Sequence, residues 1–160
     1  MVKFIFLDVD GVINSREWDR FYIENNFKYN PYIDPDIDFR AVERINKLVE
    51  ATGAEIILSS SWRFYLNETV IRLSNSGLKY PIKDIIEGEE CIYNENWPNL
   101  KHPTRGDLIH NYIKHHPCDA YIILDDIDDM TSEQKYHFIQ TKCNAGFTDK
   151  DLEKAIKILN

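Results

Sequence analysis

Asp8, Val9, Asp10 and Gly11 follow directly on the apolar run Phe4 to Leu7. Two carboxylates thus stand two residues apart where a buried strand stops. Side chains alternate across a strand, an arrangement that places Asp8 and Asp10 on one side with Val9 packed behind them. Gly11 permits a sharp turn straight afterwards. Carboxylates this close repel unless a cation sits between them or one keeps its proton. The pair therefore points to a divalent-metal site, to a nucleophile beside an acid/base partner, or to both.

Two further segments end in the same way. Tyr121 to Leu124 is apolar and leads into Asp125, Asp126, Ile127, Asp128 and Asp129. Glu55 to Leu58 leads into Ser59, Ser60, Ser61, Trp62 and Arg63. In open parallel α/β sheets, ligands bind at the carboxyl ends of the strands, so three such strands would deliver these groups to one place.

The elements that must position them alternate along the chain. Phe39, Val42, Ile45, Leu48 and Val49 recur at helical spacing, which predicts a helix over about Asp38 to Thr52 that Gly53 ends. A second helix is expected over Asn67 to Asn75, a short strand at Asp84 to Ile86, and a third helix over Thr104 to His115. Thr104 and Asp107 stand at capping-box spacing there. Beyond Asp129 come a helix around Ser132 to Tyr136, a strand near His137 to Gln140, and a last helix through Leu159 capped by Thr148 and Asp151. Alternating strands and helices indicate an α/β fold with a mainly parallel central sheet.

The order of these groups resembles the haloacid dehalogenase (HAD) superfamily of phosphohydrolases. The motif D-x-D-G is matched by Asp8 to Gly11, a hydroxyl ending the next core strand by Ser59 and Ser60, and a late acidic pair by Asp125 and Asp126, with Asp129 a few residues on. The string Leu58 to Arg63, with Thr104-Arg105-Gly106 later, is similar to the small HAD domains of Swiss-army-knife RNA-repair proteins. The resemblance implies a three-layer α/β/α Rossmann-like fold with a minimal cap, and a phosphomonoesterase working through an aspartyl-phosphate. It makes Asp8 the nucleophile and Asp10 the general acid and base. It implies Mg²⁺ held by Asp8 and Asp126, with Asp125 beside them and the backbone carbonyl of Asp10. Ser60, or second Ser59, would bind phosphate with Arg105; Lys101 is the fallback for Arg105. Arg63 would grip substrate phosphate or form a surface ion pair, and Asp129 would orient water or ligand behind the others. Nucleotide or polynucleotide phosphates are the implied substrates. A non-catalytic, metal-binding regulatory module with the same fold is the competing expectation. A receiver domain of a two-component system has its acidic pair early and its phosphoacceptor later, the reverse of the order here.

At 160 residues and 43% hydrophobic content, the chain is expected to form one domain with a true core. A small aromatic flap is expected at about 13–35, holding Trp18, Phe21, Tyr22, Phe27, Tyr29 and Tyr32. A loop insertion is expected at about 87–103, holding Tyr93 and Trp97. The flap aromatics are read as packing onto the core, with base stacking as the alternative. Net charge is −8; without Asp8, Asp10, Asp125, Asp126, Asp128 and Asp129 it is −2, so much of the acidity is the candidate site. No basic run predicts strong nonspecific nucleic-acid binding, and no apolar stretch approaches a membrane span. Cys91, Cys118 and Cys143 are widely spaced, which favours free thiols and a reducing, cytoplasmic setting. The five histidines lack zinc spacing and are read as structural.

Overall fold

The computed structural model describes residues 1–88 and 103–160. Strands β1 (Lys3–Leu7), β2 (Glu55–Leu58), β3 (Ile82–Ile85), β4 (Ala120–Asp125) and β5 (Phe138–Gln140) form one sheet in the order β3-β2-β1-β4-β5. Every neighbouring pair is parallel. Helices α1 (Arg16–Glu24), α2 (Phe39–Thr52), α3 (Leu66–Asn75), α4 (Arg105–His115) and α5 (Asp149–Leu159) complete the α/β arrangement expected from the sequence.

The run Phe4 to Leu7 shows no polar alternation because β1 is central and covered on both faces, as buried parallel strands are. Ile5 and Leu7 join Ile56, Leu58, Ile122 and Leu124 against α2 and α5. Phe4 and Phe6 join Ile57 and Ile123 against Leu108, Ile109 and Tyr112 of α4. Each fully buried Ile, Leu or Phe contributes on the order of 1.5–3 kcal/mol, so the centre of the sheet is rigid support for whatever stands at its carboxyl end.

The helix ends follow their caps. The Asp38 side chain accepts from Arg40 N, and Gly53, at φ 67°, ends α2 in the left-handed conformation. The capping boxes Thr104/Asp107 and Thr148/Asp151 are both formed. Four boundaries differ from expectation. Helix α3 begins at Leu66 behind a 3-10 turn at Ser61–Tyr65, and β3 covers Ile82–Ile85. The segment Ser132–His137 is 3-10 rather than α-helical, and β5 starts at Phe138. Helical periodicity cannot separate one tight turn from an α-helix over so few residues.

The aromatic segment after β1 contains α1 and a 3-10 turn at Phe27–Tyr29. Trp18 is fully buried, ringed by Phe21, Tyr22, Phe27 and Phe39, and its Nε1 donates to Pro35 O at 2.9 Å. The Arg40 guanidinium covers the Phe21 ring at 4.2 Å. Packing therefore accounts for Trp18, and its ring offers no face to a base. Tyr29 and Tyr32 are exposed. Cys91, Tyr93, Trp97, Lys101 and His102 lie outside the described residues.

Candidate functional site

Asp8 extends β1 by one rung: its N–H donates to Leu124 O at 3.0 Å. The chain then leaves the sheet, as the N–H groups of Val12, Ile13 and Asn14 all fold back onto Val9 O. Asp10 therefore stands in this turn, exposed, and not on the strand as the pleat argument has it. The turn itself brings Asp10 near Asp8. Gly11, at φ 70°, makes the turn possible, and a Cβ there would run into the Asp126 carboxylate.

Asp8 is almost wholly buried. Its Oδ2 lies 3.0 Å from Arg105 Nη1, while Oδ1 is buried with no hydrogen-bond partner among the described residues. Burial pushes its pKa above the usual carboxylate value, and the Asp10 charge adds to that. The Arg105 guanidinium, foremost, and the Ser60 hydroxyl pull the other way. Asp125, the last residue of β4, accepts from the same Arg105 Nη1 at 2.6 Å, and its Oδ1 takes Ile127 N at 2.9 Å. Burial, then the Asp8 charge, push Asp125 up to about 7 against Arg105. Asp126 is half-buried and is also raised, mainly by burial.

Arg105 thus bridges the carboxylates ending β1 and β4, and its place is fixed from behind. Its backbone N–H donates to Asp129 Oδ2 at 3.2 Å, and the Thr104 capping box starts α4 at this residue. Asp129 Oδ2 so anchors Arg105, while its Oδ1 is buried with no hydrogen-bond partner among the described residues. Ser59 and Ser60 are both fully buried. Ser60 acts on the ionisation of Asp8, whereas Ser59 Oγ has no hydrogen-bond partner among the described residues. Arg63 departs from expectation. It is 4% exposed, and its guanidinium donates to Ser59 O, Ser60 O and Gly88 O. It secures the loop after β2, because buried carbonyls leaving a strand need donors.

Asp8, Asp125 and Asp126 each offer an oxygen, and the three oxygens lie within 4.8 Å of one another. Hard oxygen ligands in this number suit Mg²⁺ or a similar divalent cation. Two observations show that the residues fit such an ion. Asp8 Oδ1 is an orphaned buried acceptor, and all three carboxylates resist ionisation as they stand. A cation removes both penalties. The cluster can therefore hold a metal.

The family model for the HAD domain in Swiss Army Knife RNA repair proteins matches residues 4–152. The chain belongs to this HAD family. No curated protein and no solved structure matches it. Membership places the chain among phosphatase-type HAD proteins, a superfamily of hydrolases that usually uses a divalent metal.

The sequence alone assigns no role to several residues that shape this HAD site, although Trp62 and Gly106 lie in the strings that carry the family resemblance. Asn14 Nδ2 donates to Asp10 Oδ1 at 2.8 Å, and Trp62 Nε1 donates to Asp10 Oδ2 at 3.1 Å. Gln134 Nε2 donates to Gly106 O at 2.8 Å, and a Cβ at Gly106 would stand 2.9 Å from Asp129 O. Gly106 is thus required by close approach of α4 to the loop that carries Asp129. A glycine directly after the arginine, at a helix start where it costs stability, was the available sign.

Proposed function

We propose that this HAD domain is a Mg²⁺-dependent phosphomonoesterase that forms an aspartyl-phosphate on Asp8, with nucleotide or polynucleotide phosphates as substrates. The observation carrying this is the Asp8 carboxylate, held at Oδ2 by Arg105 and left unpartnered at Oδ1. A buried carboxylate fixed on one side, with an oxygen to spare, is a positioned nucleophile.

A carboxylate oxygen of Asp8 attacks phosphorus in line, and the bond from phosphorus to the ester oxygen breaks. Asp10 gives its proton to that leaving oxygen. In the second step Asp10 takes a proton from water, the water oxygen attacks the same phosphorus, and Asp8 is released. Arg105 and the Ser60 hydroxyl offset the charge on the transferred phosphoryl oxygens. Asp8, Asp125, Asp126 and the backbone carbonyl of Asp10 would hold the cation, which would neutralise the carboxylates so that an anionic phosphate can approach. Asp129 keeps Arg105 in register.

The substrate class rests on the family's place in RNA repair proteins. The described segment at 13–35 holds only one helix and a 3-10 turn, too little for a large cap, and an open site would admit a bulky ester or a nucleic-acid end. The free thiols of Cys118 and Cys143 accord with a reducing, cytoplasmic setting. No helix among the described residues is long and apolar enough to cross a membrane.

The test is phosphate release from nucleotides and from 3′- and 5′-phosphorylated oligonucleotides, with and without Mg²⁺, beside Asp8→Asn. Turnover that needs Mg²⁺ and is lost in Asp8→Asn is the expected result. Mg²⁺ binding without turnover of any ester would instead favour a regulatory module.

A further inference from the structure

We infer that Trp62 and Asn14 form a two-sided clamp that aims the Asp10 carboxylate at the leaving oxygen, making both of them positioning residues for the acid/base step. This rests on the phosphatase reading above. Asp10 is exposed and sits on a turn, where a side chain would ordinarily sample several rotamers. It is instead held at both oxygens. Asn14 Nδ2 takes Oδ1 at 2.8 Å and Trp62 Nε1 takes Oδ2 at 3.1 Å. A carboxylate offers about four lone-pair sites, so one donor on each oxygen leaves the others open for the proton that is passed.

Both donors are themselves fixed. Asn14 Oδ1 accepts Gly11 N at 2.8 Å, which locks the amide so that its NH₂ faces Asp10. Trp62 is held through its backbone by Ser60 Oγ, which accepts its N–H at 3.3 Å, and by Thr69 Oγ1, which donates to its carbonyl at 2.9 Å. Its ring lies under the Arg72 guanidinium at 4.7 Å. Arg72 is in turn gripped by Asp34 at 2.7 Å and Asp36 at 2.6 Å. The indole N–H therefore has one direction, and Asp10 stands in it. A tryptophan merely filling space would not need its N–H on the only exposed carboxylate of the motif.

The test separates a positioning role from a structural one by leaving group. An alkyl leaving oxygen, as in a nucleoside monophosphate, needs a proton as it departs; p-nitrophenolate does not. Trp62→Phe keeps an aromatic ring and removes the donor, and is the cleaner variant; Asn14→Ala removes the other donor together with the acceptor of Gly11 N–H. Loss of one charge-assisted hydrogen bond corresponds to about tenfold or more. Each variant is therefore expected to lower kcat/KM, which reports ester cleavage and not the shared hydrolysis of the aspartyl-phosphate, by about that factor on the nucleoside monophosphate and by less than about twofold on p-nitrophenyl phosphate. Circular dichroism and Mg²⁺ titration of each variant establish that the fold and the metal site are retained. An equal loss of kcat/KM on both esters in the folded variants overturns the clamp while leaving the phosphatase reading intact. Absence of turnover of either ester by the unaltered protein overturns the phosphatase reading, and the clamp falls with it.

Discussion

Replacing Arg105 by methionine tests the electrostatic logic of the site without measuring turnover. Arg105 is 6% exposed and lies between two buried carboxylates, 3.0 Å from Asp8 Oδ2 and 2.6 Å from Asp125 Oδ2. Methionine fills similar space and carries no charge. Removing one partner of a buried ion pair typically costs about 3–5 kcal/mol, because the other charge is left uncompensated. Here the remaining charges can disappear by binding protons. Both carboxylates are already raised above their ordinary values, Asp125 to about 7, and Arg105 is what opposes the rise. Without it the folded variant takes up protons at higher pH than the folded parent does, so its relative stability improves as pH falls through the range where the variant alone is protonated. The gain is about 1.4 kcal/mol per pH unit for each such proton. Metal-free protein, kept so by a chelator, is unfolded by heat and by urea at pH 8 and pH 6.5. The expected loss at pH 8 is about 3–5 kcal/mol, or roughly 10–15 °C in Tm for a chain this size. At pH 6.5 the loss should be smaller, by less than the roughly 2 kcal/mol of one full proton, because Asp125 of the parent, near 7, itself gains a proton over that range. An equal loss at the two pH values, or none at pH 8, would refute the bridging role of Arg105.

Other perturbations reach different parts of the same arrangement. Gly11→Ala places a Cβ into the Asp126 carboxylate at φ 70°. It should lower stability by about 1–2 kcal/mol through backbone strain and weaken Mg²⁺ binding measured by calorimetry; unchanged affinity would remove Asp126 from the metal set. The unaltered protein has its own pH signature. Asp8, Asp125 and Asp126 are raised on folding, so the stability they contribute is full below about pH 4 and is lost as pH rises through their folded values, near 7 for Asp125. The chelated protein should therefore melt lower at pH 8 than at pH 5.5, and the increment from added Mg²⁺ should grow over the same range; a flat increment counts against the three carboxylates as its ligands. Trp18→Ala empties the fully buried centre of the aromatic segment and should cost about 3–5 kcal/mol in urea unfolding; a cost under about 1 kcal/mol would mean that this packing contributes little.

The parts of the site borne on strands were legible in the sequence because burial leaves a strand few choices. An apolar run that stops at Asp8 or Asp125 must deliver that carboxylate to the sheet's end, and the register Leu7↔Leu124 places the two side by side. The residues that complete the site come from loops, where contact partners depend on tertiary approach. Asn14 and Trp62 act on Asp10 through turns whose paths no periodicity reveals. Arg63 shows the reverse error. Next to the serines it reads as a phosphate ligand, but the loop after β2 leaves carbonyls needing donors, and Arg63 meets them. Asp8 and Asp10 were expected together for the wrong reason: the strand ends at Leu7, and the turn after it does what the pleat was expected to do.

β1 stands third of five in the sheet yet is first along the chain. During synthesis it waits for both neighbours. β2 follows after the intervening helices, but β4 begins only at Ala120, a delay on the order of ten seconds at ribosomal rates. Through that interval one edge of the most apolar strand, Phe4 to Leu7, is unpaired and open to other chains. The two acidic halves of the site are also apart until then. A nascent chain of this protein is thus most exposed to misassociation just before it becomes able to bind its cation, and the closing of the last central ladder resolves both conditions at once.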